Sequence, residues 1–164
     1  METPGIVDLP EKVLVGLRIN TTLAEDSAPA LWGQFMPRRK HIANSIGQEL
    51  YSVEVYPEGY FLETPQPSAV FEKWAAVEVA AHQEVTGFDT LMVPAGKYAV
   101  FVHKGPSHEF YKTAQYIFGV WLPTSGFVLD HRPHFEVMGP KYLGHLHPDS
   151  EEEIWVPVRE ALSL

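Results

Sequence analysis

The feature that most constrains the fold of this sequence is an order of elements that occurs twice. Residues 11–23 place apolar side chains at alternate positions, which is the two-residue period of a strand with one buried face. Apolar residues at near-helical spacing then predict a helix over about 28–44 with an interruption at Pro37. Two strands rich in valine and aromatic residues follow at 50–56 and 69–80. The first half therefore predicts strand, helix, strand and strand.

The second half repeats this order. Residues 88–105 predict a strand pair or a bulged strand, and residues 108–123 predict a helix. Residues 133–140 and 151–160 predict two further strands. The two halves thus share the same four elements in the same sequence.

Short motifs support a duplication. LWGQFMP, which ends at Pro37, corresponds to FGVWLP, which ends at Pro123. SVEVYP, which contains Glu54, corresponds to HFEVMGP, which contains Glu136. Short valine-rich strands can resemble each other by chance, but the shared order at nearly constant separation favours an internal repeat. We therefore predict that Glu54 and Glu136 occupy equivalent places in the two halves.

The repeats, about 11–80 and 94–160, predict a single α+β domain that spans residues 1–164. Each unit presents one apolar sheet face, and two such units bury these faces together or under their helices. A pseudo-twofold axis would relate the halves, and a groove on that axis is the natural place for a ligand.

Charge and composition exclude several classes of function. A net charge of −9, from 21 acidic and 12 basic residues, opposes the phosphate neutralisation on which nucleic-acid binding depends. The chain has no cysteine, so disulfides, thiolate nucleophiles and cysteine-ligated metals are excluded. The sequence METPGIVDLPEK lacks the features of a signal peptide, and no stretch approaches the roughly 18 apolar residues of a membrane span. We expect a cytoplasmic protein that binds neither DNA nor a membrane.

Glu136 is the first candidate site residue. Strand alternation puts it on one face with His134 and Met138, while Phe135 and Val137 lie on the other. A glutamate in a strand is commonly exposed to solvent, which is the simplest interpretation. On a mostly apolar face, however, a carboxylate is costly unless it is paired, and it then marks a ligand site or an acid–base group.

An aromatic set supplies the remaining candidates. These rings either build the core or form, beside a carboxylate, the flat walls of a cation-binding pocket. Alternation in the last strand puts Trp155 opposite Ile154 and Val156, from where it is predicted to face the groove. The members are Tyr56, Tyr98, Tyr111, Phe118, Trp121 and Trp155.

Metal and cofactor sites are not indicated. The eight histidines include close pairs such as His145 and His147, but none has a HExxH or three-ligand pattern. The nucleophile elbow of hydrolases and the glycine-rich loops of nucleotide and dinucleotide sites are missing. We predict neither a metal nor a cofactor.

Four segments carry a resemblance to a known family. PAGKYAVFVHKG at 94–105, YIFGVWLPTSGF at 116–127, PHFEVMGP at 133–140 and HPDSEEEIWVPVRE at 147–160 occur in the order typical of that family. The sequence resembles, over nearly its whole length, the gyrase-inhibitory-protein-like (GyrI-like) or AraC-type effector-binding superfamily. The resemblance implies two strand–helix–strand–strand units whose antiparallel sheets and two main helices enclose a groove for small molecules, often lipophilic cations.

The resemblance also implies roles for individual residues. The buried acid of the family falls in the motif that reads FEVM here, which makes Glu136 the central carboxylate. The aromatic of the final strand maps onto Trp155, the tryptophan at the helix end onto Trp121, and Tyr56 takes the corresponding place in the first half. Met138 departs from the pattern, because the family usually has an aromatic residue there.

Three functions follow from the resemblance. Reversible binding of a small apolar or cationic molecule is favoured, since it requires only an acid among aromatic rings. The alternative is hydrolysis of strained cyclopropane compounds, in which Glu136 activates water, Trp121 or Tyr111 holds the substrate, and His134 is a further candidate. A gyrase-modulating interaction and a separate regulator partner are less well supported. Because the first strand begins within about a dozen residues, we expect no DNA-binding helix-turn-helix and no direct transcriptional control.

Overall fold

A computed structural model describes residues 3–162 of the chain. These residues form nine strands and two main helices, which is the α+β class that the sequence predicts. The strands are β1 (Gly5–Leu9), β2 (Lys12–Thr21), β3 (Leu50–Val55), β4 (Phe71–Val79), β5 (Asp89–Val93), β6 (Gly96–Lys104), β7 (Phe127–Leu129), β8 (His134–Met138) and β9 (Glu151–Glu160). The helices are α1 (Ala28–Arg38), α2 (Phe110–Tyr116), which continues as a π-helical turn over Ile117–Trp121, and the short α3 (Leu122–Thr124).

The strand order shows the predicted symmetry. The order is β1-β6-β9-β8-β3-β4-β2-β5, every pairing is antiparallel, and β7 pairs with β9 outside this path. Read outward from the central β3–β8 pair, β4 and β2 on one side match β9 and β6 on the other. The strand–helix–strand–strand unit is thus β2-α1-β3-β4 in the first half and β6-α2-β8-β9 in the second.

Both helices pack on the same face of the sheet. Leu31 and Phe35 of α1 contact Ala75, Val77 and their neighbours at one end. At the other end, the α2 and π-helical segment contacts a cluster that contains Phe101, Ile117, Ile154, Val156 and Val158. The registers Ser52–Ala75, Ser52–Glu136 and Glu136–Ile154 place these residues on one face, because directly paired residues point the same way. The central strands β3 and β8 therefore form the floor between two helices.

The opposite face carries a third core cluster. It includes Tyr51, Val53, Trp74, Tyr98 and Phe135, with Trp155 packed against it. Leu9 of β1 and Leu91 of β5 also pack there, although these strands lie at opposite ends of the sheet. The sheet must therefore curve around this core.

The first helix ends close to the predicted interruption. It stops at Arg38, one residue after Pro37, and is followed by a 3₁₀ turn over Arg39–His41. Pro37 occupies the last turn and has no N–H to donate. The apolar spacing predicts helical structure to about residue 44, but Asn44 adopts a left-handed φ of 65° and lies outside both elements.

Candidate functional site

A cluster of charged side chains lies on the floor between the helices. Glu136 of β8 is directly opposite Ser52 of β3, and Glu54 is opposite His134. Lys73 of β4 is opposite Glu54, and its Nζ lies 3.5 Å from Glu54 Oε2. Both side chains of this ion pair are largely buried, with 18% of Lys73 and 12% of Glu54 exposed. Polar groups therefore replace the apolar side chains of the core at the centre of this face.

Glu136 is buried, and its pKa is raised well above the usual value. Burial is the main cause. The negative charge of Glu54 adds to it, as does a hydrogen bond that the protonated carboxyl group of Glu136 donates to Glu54, while Lys73 opposes it. Burial and the neighbouring acid thus favour the protonated form of Glu136.

Glu152 brings a third carboxyl group to the cluster. Burial, followed by the charge of Glu54, raises its pKa to about 7, while Lys73 lowers it. Burial alone would lower the pKa of Lys73, but Glu54 and Glu136 outweigh it, and the pKa of Lys73 is raised. Glu152 lies opposite His103 in the β6–β9 register. The ring nitrogens of His103 form hydrogen bonds with Thr113 and with the carbonyl of Pro106. The charge of the Lys73 ammonium thus acts on three carboxyl groups. We call Glu54, Lys73, Glu136 and Glu152 the carboxyl cluster.

Aromatic rings border this cluster on one side. His134 contacts Tyr56 edge to face at a centroid distance of 4.9 Å and is stacked near Phe61 at 5.6 Å. Phe118 of the π-helical turn stacks with Phe61 at 6.2 Å and lies 6.3 Å from His134. We call these residues, with Tyr60 and Phe71 beside Tyr56, the aromatic wall. It joins the loop after β3 to the second helical segment.

The aromatic wall stays neutral at physiological pH. Burial, with a smaller contribution from Arg132, lowers the pKa of His134 to about 3. Burial and the charges of Glu54 and Glu136 raise the pKa of Tyr56 well above its usual value. The rings therefore bring no positive charge that would compete with a cationic ligand.

A cavity of about 650 Å³ adjoins the aromatic wall. Tyr56, Tyr60, Phe61 and His134 line one side, and residues of α3 and β7, among them Leu122 and Phe127, line the other. Glu136 lies on β8 two positions beyond His134, on the same face. The cavity thus reaches the aromatic wall at Tyr56, Tyr60, Phe61 and His134, while Glu54, Lys73, Glu136 and Glu152 do not line it.

The structure brings together three of the predicted site residues. Glu136, Tyr56 and Phe118 lie at the groove. Trp121 packs edge to face on Phe101 and stacks with Phe127, which makes it part of the core under the second helix. Tyr111 is exposed on α2.

Trp155 and Tyr98 require a correction. Glu136 pairs with Ile154, so Trp155 points to the opposite face of the sheet, where its ring stacks on Phe135 at 5.4 Å. Tyr98 is fully buried on that same face and donates a hydrogen bond to the carbonyl of Pro133. The expectation that Trp155 faces the groove with Glu136 is wrong. Ile154 faces the groove, and Trp155 is the next residue in the strand, so its side chain points to the opposite face.

Glu54 and Glu136 lie close together at the centre of the sheet. Glu136 is opposite Ser52 and Glu54 is opposite His134, so the two glutamates are diagonal neighbours across the central pair of strands, and this is why their carboxyl groups interact. A twofold axis through the Val53–Phe135 pair would exchange them. Their equivalence in the two halves stays a prediction.

Several residues of the site were missed from the sequence alone. Lys73, Glu152, Tyr60 and Phe61 were not candidates, although Lys73 and Glu152 alternate with the apolar residues of their strands. A charged residue that shares one alternating row with apolar residues is a sequence signal that could have found both: Lys73 shares its row with Phe71 and Ala75, and Glu152 shares its row with Ile154.

A family model for the GyrI-like small molecule binding domain matches residues 2–159. The chain belongs to this family. The resemblance stated from the sequence is thereby confirmed, and so is the general function of a small-molecule binding domain. None of the helices within residues 3–162 is long and apolar enough to cross a membrane.

Individual relatives agree with this assignment. The transcriptional regulator BrlR of Pseudomonas aeruginosa is 29% identical over 154 residues, which cover 93% of this chain and 54% of BrlR. The chain therefore spans about half the length of this curated relative. Among solved structures, SAV2435 bound to tetraphenylphosphonium is similar with a TM-score of 0.71 at 16% identity, over 97% of this chain and 94% of that one. The C-terminal domain of EcmrR is similar with a TM-score of 0.65 at 17% identity, over 96% and 98% of the two chains.

Proposed function

We propose that the chain reversibly binds a lipophilic organic cation in the groove between its helices, with Glu136 as the central counter-charge. The observation that carries this proposal is the cluster of three carboxyl groups that faces a single ammonium beside a wall of aromatic rings. The arrangement has an excess of acid in a buried place, and a cation from outside would satisfy it.

The charges of the floor favour a cation over an anion or a neutral molecule. A buried carboxyl group that lacks a counter-charge holds a proton, as the raised pKa of Glu136 indicates. A bound cation would allow Glu136 to ionise, and the proton would leave to solvent. In a partly dry site, this charge pair is screened less than it would be in water.

The aromatic wall supplies the apolar part of the recognition. Phe61 and Phe118 keep 39% and 37% of their surfaces exposed, so their rings are available for contact with a ligand. Ring faces attract cations through their quadrupole and also bury apolar area. The wall therefore suits a ligand that is both charged and aromatic. Tetraphenylphosphonium, the ligand of SAV2435, has this chemistry.

The test compares two ions of one shape and opposite charge. Tetraphenylphosphonium should bind the wild-type protein in a calorimetric titration, and tetraphenylborate should not. Glu136→Gln keeps the shape of the protonated acid but cannot ionise, and we expect it to weaken the phosphonium by roughly tenfold to a hundredfold, or about 1–3 kcal/mol.

Glu78→Gln is the matched control. Glu78 lies on β4, two strands from β8, and its side chain accepts hydrogen bonds from Lys12 and Tyr51 on the face away from the helices. Its substitution should leave the affinity for tetraphenylphosphonium unchanged. Equal affinity for both ions, or an equal effect of the two substitutions, would refute the central role of Glu136.

Hydrolysis is a second candidate, and one observation favours it. The carboxyl group of Glu136 has a raised pKa and interacts with a second acid, Glu54, which is an arrangement that can transfer a proton to or from a substrate or water. The reaction would require turnover of the bound molecule, which reversible binding does not.

A further inference from the structure

We infer that Lys73 is a specificity-determining residue that sets the charge of the ligand the groove accepts, because its ammonium occupies one of the cation positions of the carboxyl cluster. The inference rests on the proposed function and extends it from the sign of the ligand charge to its magnitude. In this inference the ammonium of Lys73 is a cation of the protein itself, and any cationic ligand binds beside it.

The position of Lys73 is the first argument. The β3–β4 register pairs it with Glu54, and strand alternation turns it to the same face as Ser52 and Glu136. Its charge acts on Glu136 and on Glu152 as well as on Glu54. The ammonium of Lys73 is thus paired with Glu54, and its charge also acts on the other two carboxyl groups.

The loose hold on Lys73 is the second argument. Its Nζ is 3.5 Å from Glu54 Oε2, and that oxygen makes no hydrogen bond of good geometry. Lys12, a lysine of similar burial on the other face of the sheet, shows what a tightly bound pair looks like. Its Nζ donates to Glu78 at 2.8 Å and lies 3.4 Å from the hydroxyl of Tyr51. Lys73 therefore has the character of a counter-ion rather than of a fully bonded structural residue.

The balance of charges is the third argument. Three carboxyl groups and one ammonium leave at most two uncompensated negative charges. Lys73 repels any other cation on the floor, and this repulsion is proportional to the charge of the ligand. When both charges of a dication lie about equally near the ammonium, the cost that Lys73 imposes is about twice its cost for a monocation, and it is absent for a neutral molecule.

The experiment uses three flat molecules of nearly one shape: phenylpyridine, N-methylphenylpyridinium and N,N′-dimethylbipyridinium. They carry no charge, one charge and two charges when the pH is above neutral, where Glu152 is ionised. Their affinities for the wild-type protein and for Lys73→Met are measured by titration calorimetry. We expect the substitution to leave the neutral molecule unchanged, to strengthen the monocation by about tenfold, and to strengthen the dication by about a hundredfold.

Two variants separate charge from packing. Lys73→Arg keeps the charge and should retain the wild-type order of affinities. The double variant Lys73→Met/Glu54→Gln removes one charge of each sign, and its affinity for the monocation should return towards that of the wild type. The double variant also leaves neither partner of the ion pair alone, so it can be measured even if Lys73→Met folds poorly. Lys12→Met is the control for loss of a paired lysine outside the groove, and it should change none of the three affinities.

The outcomes distinguish this inference from the proposal beneath it. If the wild-type protein binds no cation, the proposed function fails. If it binds cations but Lys73→Met changes all three affinities by the same factor, Lys73 has only a packing role and the inference is overturned. Affinities for the monocation and the dication that Lys73→Met leaves unchanged would overturn it as well.

Discussion

Substitution of Glu152 by glutamine should remove a pH-dependent loss of stability. Burial and the charge of Glu54 raise the pKa of Glu152 from the usual 4.5 to about 7 in the folded protein. The folded state therefore holds this proton more tightly than the unfolded chain does. The stability that this proton provides is complete below pH 4.5 and is lost as the pH rises through about 7.

The magnitude follows from the interval between these two pKa values. At about 1.36 kcal/mol for each pH unit, the interval corresponds to an upper limit of about 3 kcal/mol. Glu152 is half-buried and part of a coupled cluster, so we expect about 1–3 kcal/mol. Glutamine cannot ionise, so the free energy of unfolding of Glu152→Gln should not fall as this carboxyl group ionises. The difference in unfolding free energy between the variant and the wild type should therefore increase by about 1–3 kcal/mol from acidic to alkaline pH.

Urea denaturation at about pH 5 and about pH 8 measures this difference in the free energy of unfolding. Glu153→Gln is the control, because the neighbouring Glu153 is exposed and contacts Trp155 on the other face of the sheet. The difference between variant and wild type should grow with pH for Glu152→Gln and stay constant for Glu153→Gln. If both variants show the same flat dependence, the carboxyl cluster does not hold the proton that its geometry implies.

Two further predictions test the placement of the aromatic residues and the alternative chemistry. Trp155→Ala should lower the free energy of unfolding by about 2–3 kcal/mol, since its ring stacks on Phe135 in the core, whereas Phe118→Ala should weaken tetraphenylphosphonium binding with a smaller effect on stability. Urea unfolding and calorimetric titration of both variants check this, and weaker binding for Trp155→Ala alone would contradict the assignment of faces. If the protein is a hydrolase, a strained cyclopropane electrophile should be consumed over many turnovers, and Glu136→Gln should slow that reaction by roughly 10²–10⁴-fold. Chromatographic counting of product per protein decides the question, and consumption that stops at one equivalent would exclude catalysis with that compound.

Local periodicity determined much of the architecture. The alternation in residues 11–23 and 151–160 correctly identifies β2 and β9, and the near-helical spacing identifies α1 and α2. The repeat of these patterns is sufficient to predict a symmetric α+β fold, because period and order are properties of the chain itself. Two short elements, β1 and β7, were missed. They are five and three residues long and depend on pairing with β6 and β9 rather than on a pattern of their own.

The candidate site was only partly determined by the sequence. Alternation correctly separates Glu136 from Phe135 and Trp155 from Ile154, but it cannot show which of the two faces lies under the helices. That choice is made by the registers between strands, which put Glu136 beside Ile154 on the groove side and Trp155 in the opposite core. A tryptophan on the strand next to a buried acid can thus lie on the far side of the sheet.

The carboxyl cluster itself is a product of tertiary structure. Glu54, Lys73, Glu136 and Glu152 come from four strands, and only the pairing of β3 with β4 and β8, and of β8 with β9, brings them together. In the unfolded chain these charged groups interact only weakly with each other, because water screens them. Burial between two helices removes that water, and this is why the sequence supplies the acids while only the folded sheet decides which of them hold a proton and which hold a cation.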